Sequence, residues 1–291
     1  MTTIRAATRG SPLALWQAEH VASLLRAVNP EVSVELVVVD TDGDRRLDVP
    51  IWELGGKGVF AKEVQAAVLD GRADIAVHSA KDLPSVVVPG LVIGAVPERG
   101  DPRDALVGST LADLPEGAEV ATGSLRRQAQ LAAARPDLRF VGLRGNMATR
   151  LAKAVNHDAI VVAATALDRL GLADQIAERL PTDLMLPQVA QAALALECRD
   201  DDEPLLALLA SIEDADTRRC VDAERSFLAA LGGDCSLPAA AHATLTGGTL
   251  SIEGRIAAVD GSRVLREVGT DGAAIARHLL DDQGGAALLG R

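Results

Sequence analysis

Basic residues recur in this chain at points where a strand should give way to a helix. IRAAT runs into Arg9, DIAVHSA into Lys81, EVATGS into Arg126 and Arg127, RFVGL into Arg144, and AIVVAATAL into Arg169. In open α/β sheets the carboxyl ends of the strands border the ligand crevice, and helix N-termini there attract anions. The pattern aims fixed positive charge at one cleft, although the chain as a whole has a formal net charge of −12. A basic cleft in an acidic protein suits a small polyanion better than a nucleic-acid backbone.

Each motif has an ordinary reading as well. In HSAKDLP (78–84) the pair Lys81–Asp82 could be a surface turn, but it follows directly on an apolar strand, where substrates bind. An ionised Asp82 there could stabilise a developing cation or exchange a proton with a leaving amine. TGSLRRQ (122–128) puts Ser124 at an N-cap with Arg126 and Arg127 in the first turn. The helix dipole disfavours cations at that end, so the sequence calls for an anion bridging the two guanidinium groups. LRGNMATR (143–150) sets Arg144 before a helix and Arg150 within it, and arginine pairs bidentately with carboxylates. In GGDCSLP (232–238), Cys235 sits in a glycine-flanked loop. It reads equally as a buried small hydrophobe or as an exposed nucleophile or attachment point. Cys198 and Cys220 fall in expected helices and read as core. GGKG (55–58) fails as a phosphate loop, because position 51 is Ile and neither Ser nor Thr follows Lys57. Gly56, Gly58 and Ala61 fit GxGxxA, but no clear strand precedes them.

The elements that must position these residues alternate in type. TIRAATR reads as a strand, and Ser11-Pro12 caps a helix running to about Val28. VELVVVD (34–40) reads as a buried strand, followed by a helix near 59–70 and the strands DIAVHSA and LVIGAVP. A second block begins near Asp101. It comprises DALV, EVATGS, a helix from Ser124, LRFVGL, a helix from about Asn146, and AIVVAATAL as a strand. Strand–helix alternation argues for parallel or mixed sheets covered on both faces, here as two lobes joined near PERGDPRD. LPQVAQAALALECR (186–199) reads as a helix able to return to the first lobe. A helix near 214–231, three strands separated by GG and DG turns, and a helix over 272–282 make a small α+β tail. Residues 41–58 are polar and glycine-rich and read as a lid.

Composition removes other classes. With two Trp, three Phe and no Tyr, the chain lacks the aromatic platforms that single-stranded nucleic acid stacks on. No apolar stretch approaches the roughly 20 residues of a membrane helix, and MTTIRAATRGSP lacks the pattern of a secretory signal. Three cysteines without CxxC and five dispersed histidines disfavour a disulfide framework or a zinc site. The expectation is a soluble, cytoplasmic, metal-free protein that binds neither nucleic acid nor membrane.

Taken together, ATRGSPLALWQA, GGKGVFAKE, DIAVHSAKDLP, DPRDALV, SLRRQAQL, LRGNMATRL, LDRLGL, LPQVAQAALALECR and GGDCSLP closely resemble the porphobilinogen deaminase family, in the family's order and through nearly the whole chain. The resemblance implies a transferase that joins four porphobilinogen molecules head to tail into hydroxymethylbilane, releasing ammonia at each addition. The chain grows on one covalent dipyrromethane cofactor held through a cysteine thioether, which matches Cys235. The catalytic aspartate matches Asp82, which would stabilise positive charge on the pyrrole nitrogens. Residues that hold cofactor and substrate carboxylates match Arg9, Ser11, Lys57, Lys81, Ser124, Arg126, Arg127, Arg144, Arg150 and Arg169, and Phe60 matches an aromatic of the lid. No metal is implied. The implied fold is α/β, two doubly wound lobes resembling two-lobed solute-binding proteins plus a small α+β C-terminal domain. Lobe 1 takes residues 1–98 and 193–212, lobe 2 takes 99–192, and the cysteine-bearing domain takes 213–291. The family suggests a monomer. Glu53, Ala121, Gly123, Asp234 and the AQAA of 190–193 depart from the family pattern, which has a GQGA-like turn at the last of these. The alternative is a two-lobed binder of carboxylate ligands without chemistry, which would have no use for Cys235.

Overall fold

The computed structural model describes residues 2–41, 58, 60–232 and 237–290. Two compact units divide the chain, one of residues 1–100 with 192–218 and one of residues 101–191 with 219–291. In chain order the first unit opens with β1 (Thr2–Arg9), α1 (Pro12–Val28), β2 (Val32–Val39), α2 (Lys62–Leu69), β3 (Ile75–Ser79) and β4 (Leu91–Ala95). The second unit then contributes β5 (Asp104–Val107), β6 (Glu119–Ala121), α3 (Leu125–Ala134), β7 (Arg139–Val141), α4 (Met147–Ala154), β8 (Ala159–Ala163), α5 (Ala164–Arg169) and β9 (Glu178–Arg179). The chain returns to the first unit for β10 (Leu194–Arg199) and α6 (Glu203–Ala210). It closes with α7 (Ala215–Ala230), β11 (Ala239–Thr246), β12 (Thr249–Ala257), β13 (Val264–Gly269), α8 (Gly272–Arg277) and α9 (Gly285–Leu288).

The first unit is built on a five-stranded sheet in the order β2-β1-β3-β10-β4. β1 pairs in parallel with β2 and β3, while β10 runs antiparallel to β3 and β4. α1 starts as its sequence dictates. Ser11 Oγ accepts from the Ala14 N–H at 3.3 Å, and Pro12 brings a fixed φ with no N–H to leave unsatisfied. Its apolar stripe of Ala14, Ala18, Val21, Ala22 and Leu25 is buried at helical spacing.

Three expectations change here. VELVVVD is not a buried strand: β2 lies at the sheet edge, and Val38 is 57% exposed. LPQVAQAALALECR is not a helix: it folds as a turn followed by β10, so Cys198 lies in a strand. The Ala–Leu composition favours helix only weakly, and pairing on both sides within a sheet overrides it. AIVVAATAL is strand only to Ala163, and α5 takes the rest.

The second unit holds another five-stranded mixed sheet, β7-β6-β8-β5-β9, and a three-stranded antiparallel sheet, β11-β12-β13. The scarcity of aromatics leaves both lobes with cores of Ala, Val, Leu and Ile. Phe227 of α7 is fully buried. It needs Gly254 opposite, where a Cβ would come within 2.5 Å of the ring.

Between β9 and β10 the backbone adopts left-handed values at two alanines, Ala190 (φ 57°) and Ala192 (φ 72°). These are the positions where the family pattern has glycine. A Cβ in that region costs about 1–2 kcal/mol, and glycine's extra freedom when unfolded returns about 0.4–1 kcal/mol of cost. Ala190→Gly and Ala192→Gly are therefore each expected to raise stability by about 0.5–1 kcal/mol in chemical denaturation. A loss in both would show that the two positions are not strained.

Candidate active site

β1 and β3 run in parallel and deliver Arg9 and Ser79 at the same ends of their strands. After Ser79 the chain makes a 3₁₀ turn, Ala80–Asp82. The turn is tied down by the Ala80 N–H donating to the Ala193 carbonyl at 3.0 Å and by the Leu83 N–H donating to the Ala80 carbonyl at 3.3 Å. Lys81 and Asp82 thus sit half-buried on a fixed turn, with Leu83 buried behind them. They line one cavity together with Arg9, Ser11, Phe60 and His78. Arg9 Cζ lies 4.1 Å from the centre of the Phe60 ring, a cation–π contact that restrains the guanidinium. Five of the residues expected from the sequence therefore meet in the first unit.

The second unit holds the other arginines. Ser124 is the N-cap of α3, its hydroxyl accepting from the Arg127 N–H at 3.5 Å. Arg126 and Arg127 turn inward and are buried. Arg126 Nη1 donates to Asp104 Oδ2 at 2.7 Å and to the Leu186 carbonyl at 2.8 Å. Arg127 Nε and Nη2 reach Asp104 Oδ1 at 3.0 and 2.8 Å, and Gln191 Nε2 donates to the same oxygen at 2.9 Å. An anion does bridge the two arginines, and it is the protein's own Asp104, fully buried. Burial alone would raise the Asp104 carboxyl, but the two guanidinium groups outweigh it and hold that carboxyl well below the usual range. Burial lowers the Arg126 guanidinium. One carboxylate does not exhaust the donors: Arg126 Nε and Nη2 are buried with no hydrogen-bond partner. Buried donors in that state are rare and costly, and they suit the carboxylate of a bound ligand.

LRGN also folds as expected, with Asn146 Oδ1 capping α4 through the Thr149 N–H at 3.0 Å. Arg150 Nε donates to the Gly145 carbonyl at 2.8 Å. Burial lowers the Arg144 guanidinium and takes that of Arg169 down to about 10, against a smaller opposing pull from Asp168. Arg169 stays cationic at neutral pH. Arg169 is the last residue of α5, not a helix-start residue, because the helix begins at Ala164 immediately after β8. Gly123 has no room for a side chain: a Cβ there would come within 2.6 Å of the Leu143 carbonyl oxygen. Lys57 and Cys235 lie outside the described residues, as do Glu53 and Asp234.

The sequence reading passed over Asp104, although an acid opening an apolar strand was visible in DPRDALV. It also passed over His78, which lines the cavity, and Glu197, a charge inside the apolar run LALEC.

Strand-end arginines, a lysine and an aspartate are thus carried on α/β units, with buried guanidinium donors left unspent. The comparisons with known proteins give the chain's family. Residues 4–207 match the family model described as "Porphobilinogen deaminase, dipyromethane cofactor binding domain". Residues 218–280 match its C-terminal domain. The chain is 51% identical to the porphobilinogen deaminase of Syntrophotalea carbinolica over 271 residues, 91% of this chain and 86% of that one. It is 48% identical to that of Syntrophomonas wolfei over 302 residues, 99% of this chain and 98% of that one. The chain belongs to the porphobilinogen deaminase family, and its first two-thirds is a dipyrromethane-cofactor-binding domain. Among solved structures it is similar to the methionine-binding protein MetQ, with 13% identity, a TM-score of 0.47, and coverage of 74% of this chain and 92% of that one. That likeness is too weak to bear on function. Among the described residues no helix is long and apolar enough to cross a membrane.

Proposed function

We propose that this protein is a monomeric, cytoplasmic transferase that polymerises four porphobilinogen molecules into hydroxymethylbilane. Ammonia leaves at each addition, and the product grows on a dipyrromethane attached through Cys235. The observation that carries the reading is the cavity in which Asp82 and Lys81 share a wall with Arg9, Ser11 and Phe60.

When bound, dipyrromethane supplies the pyrrole carbon to which the first substrate is joined. The chain's own residues divide the remaining work. Porphobilinogen carries an acetate and a propionate, so the growing product is a polycarboxylate, and arginines hold such groups bidentately. Arg126 can present Nε and Nη2 to one carboxylate without releasing Asp104. Arg9, Ser11, Lys81, Ser124, Arg144, Arg150 and Arg169, with Lys57, bind and orient the rest, while Arg127, whose three side-chain nitrogens are engaged by Asp104 and the Val161 carbonyl, holds Asp104 in place. Asp82 stabilises the positive charge that develops on a pyrrole nitrogen as the amine departs. Phe60 restrains Arg9 and covers the site.

Intact mass tests this directly. The purified protein should be heavier than its sequence by one dipyrromethane, and Cys235→Ser should show the bare sequence mass. Brief exposure to porphobilinogen should add further pyrrole increments to the native protein alone. A native protein at its sequence mass that binds porphobilinogen unchanged would favour the carboxylate-binding alternative.

A further inference from the structure

Three polar side chains are sealed where α2 packs on the first sheet: Gln65, His78 and Glu197 are 4%, 6% and 4% exposed. The period-2 alternation of strands places them. His78 stands opposite Ala195, and Glu197 opposite Ala76, so both turn to the same face and each has a small neighbour across the ladder. Gln65 Nε2 donates to Glu197 Oε2 at 2.8 Å. His78 Nε2 lies 3.0 Å from the same oxygen. That contact is close enough for an ion pair but off the hydrogen-bond axis, so Nε2 has no aligned acceptor.

A carboxylate sealed among alanines and valines is costly unless it is paired. Gln65 supplies one hydrogen bond, and the His78 imidazole is the other polar group within reach. The order is carboxylate, imidazole, cavity, since His78 also lines the space shared by Arg9, Lys81 and Asp82. In that order a carboxylate fixes the orientation of the ring, while the second ring nitrogen serves the reacting groups.

We propose that His78, backed by Glu197, carries the proton for amine release in this cavity. This rests on the transferase reading above. As the aminomethyl C–N bond breaks, its electron pair stays on nitrogen. The Nδ1 proton of the imidazolium passes to that nitrogen, which leaves as ammonia. The methylene carbon left on the substrate is cationic and is stabilised by Asp82. When the new C–C bond forms at that carbon, the attacking pyrrole carbon gives up its hydrogen as a proton to Nδ1, and the imidazolium is restored. One C–N bond is exchanged for one C–C bond, one ammonia leaves, and no net proton or oxidant is required.

The test is steady-state kinetics against pH on cofactor-loaded protein. The groups facing the imidazole are Glu197 from β10 and Gln65 from α2, with Arg9, Lys81 and Asp82 on the cavity side. His78→Gln should keep the dipyrromethane mass, lose about 10²–10⁴-fold in kcat with little change in KM, and lose one ionisation from the kcat profile. Glu197→Gln, which keeps the shape and an acceptor for Gln65, should lose about tenfold in kcat and displace that same ionisation. It serves as the deciding variant if His78→Gln does not fold. A kcat within about threefold of native in the folded variants, a His78→Gln profile that keeps every ionisation, or a Glu197→Gln profile identical to native overturns the proposal. A native protein that does not turn over porphobilinogen would instead overturn the transferase reading itself.

Discussion

Asp82→Asn is expected to fold, load its dipyrromethane and still bind porphobilinogen, while turnover falls by about 10²–10⁴-fold. The substitution keeps the size of the side chain and removes only its charge. The turn that carries it is fixed by backbone hydrogen bonds from Ala80 and Leu83, none of which uses the carboxylate. A charge that stabilises a cation formed only during reaction contributes to the rate and not to substrate binding, so KM should barely move. Asp82→Glu restores the charge on a longer arm and should recover part of the rate. Near-native turnover in Asp82→Asn would remove the residue from the chemistry.

Asp104→Asn should damage the fold more than any exposed change in the molecule, by about 3–5 kcal/mol in denaturant titration. Asp104 neutralises two buried arginines and accepts four hydrogen bonds, from Arg126 Nη1, Arg127 Nε, Arg127 Nη2 and Gln191 Nε2. Without its charge, two guanidinium groups face each other in a site that water does not reach. The pH dependence follows from the same geometry. The Asp104 carboxyl is depressed in the folded protein relative to about 3.9 when unfolded. Its contribution is fully present above that unfolded value. It is lost as pH falls from there toward the folded value, because the unfolded chain binds the proton first. Acid unfolding of the native protein should therefore steepen below about pH 4, and Asp104→Asn should flatten that limb. An Asn variant of native stability would mean that the two arginines find another anion.

Local chemistry made much of this legible. Ser11-Pro12, Ser124 and Asn146 announced three helix starts, and each caps a helix with its own side-chain oxygen. The short apolar run ending at Lys81-Asp82 announced a strand end on the site. What stayed hidden depends on partners far away in sequence. β10 reads as helix because Ala and Leu favour helix, and only its pairing with β3 and β4 makes it a strand. Val-rich β2 reads as interior, yet its place at the sheet edge is a matter of topology. The inward turn of Arg126 and Arg127 could not be read from SLRRQ, since the carboxylate they share lies more than twenty residues earlier. His78 and Glu197 are separated by a whole lobe of sequence, and only the β3–β10 register brings them together.

The late arrival of β10 bears on how the molecule is made. β4 has one partner in its sheet, and that partner is β10. A ribosome working from the N-terminus therefore exposes Leu91–Ala95 as an unpaired apolar segment until residues 194–199 emerge. The sheet of residues 104–179, by contrast, is uninterrupted in sequence and can close while the earlier one waits. The nascent chain must shelter Leu91–Ala95 for about a third of its synthesis, and that segment is where a holdase would find its substrate.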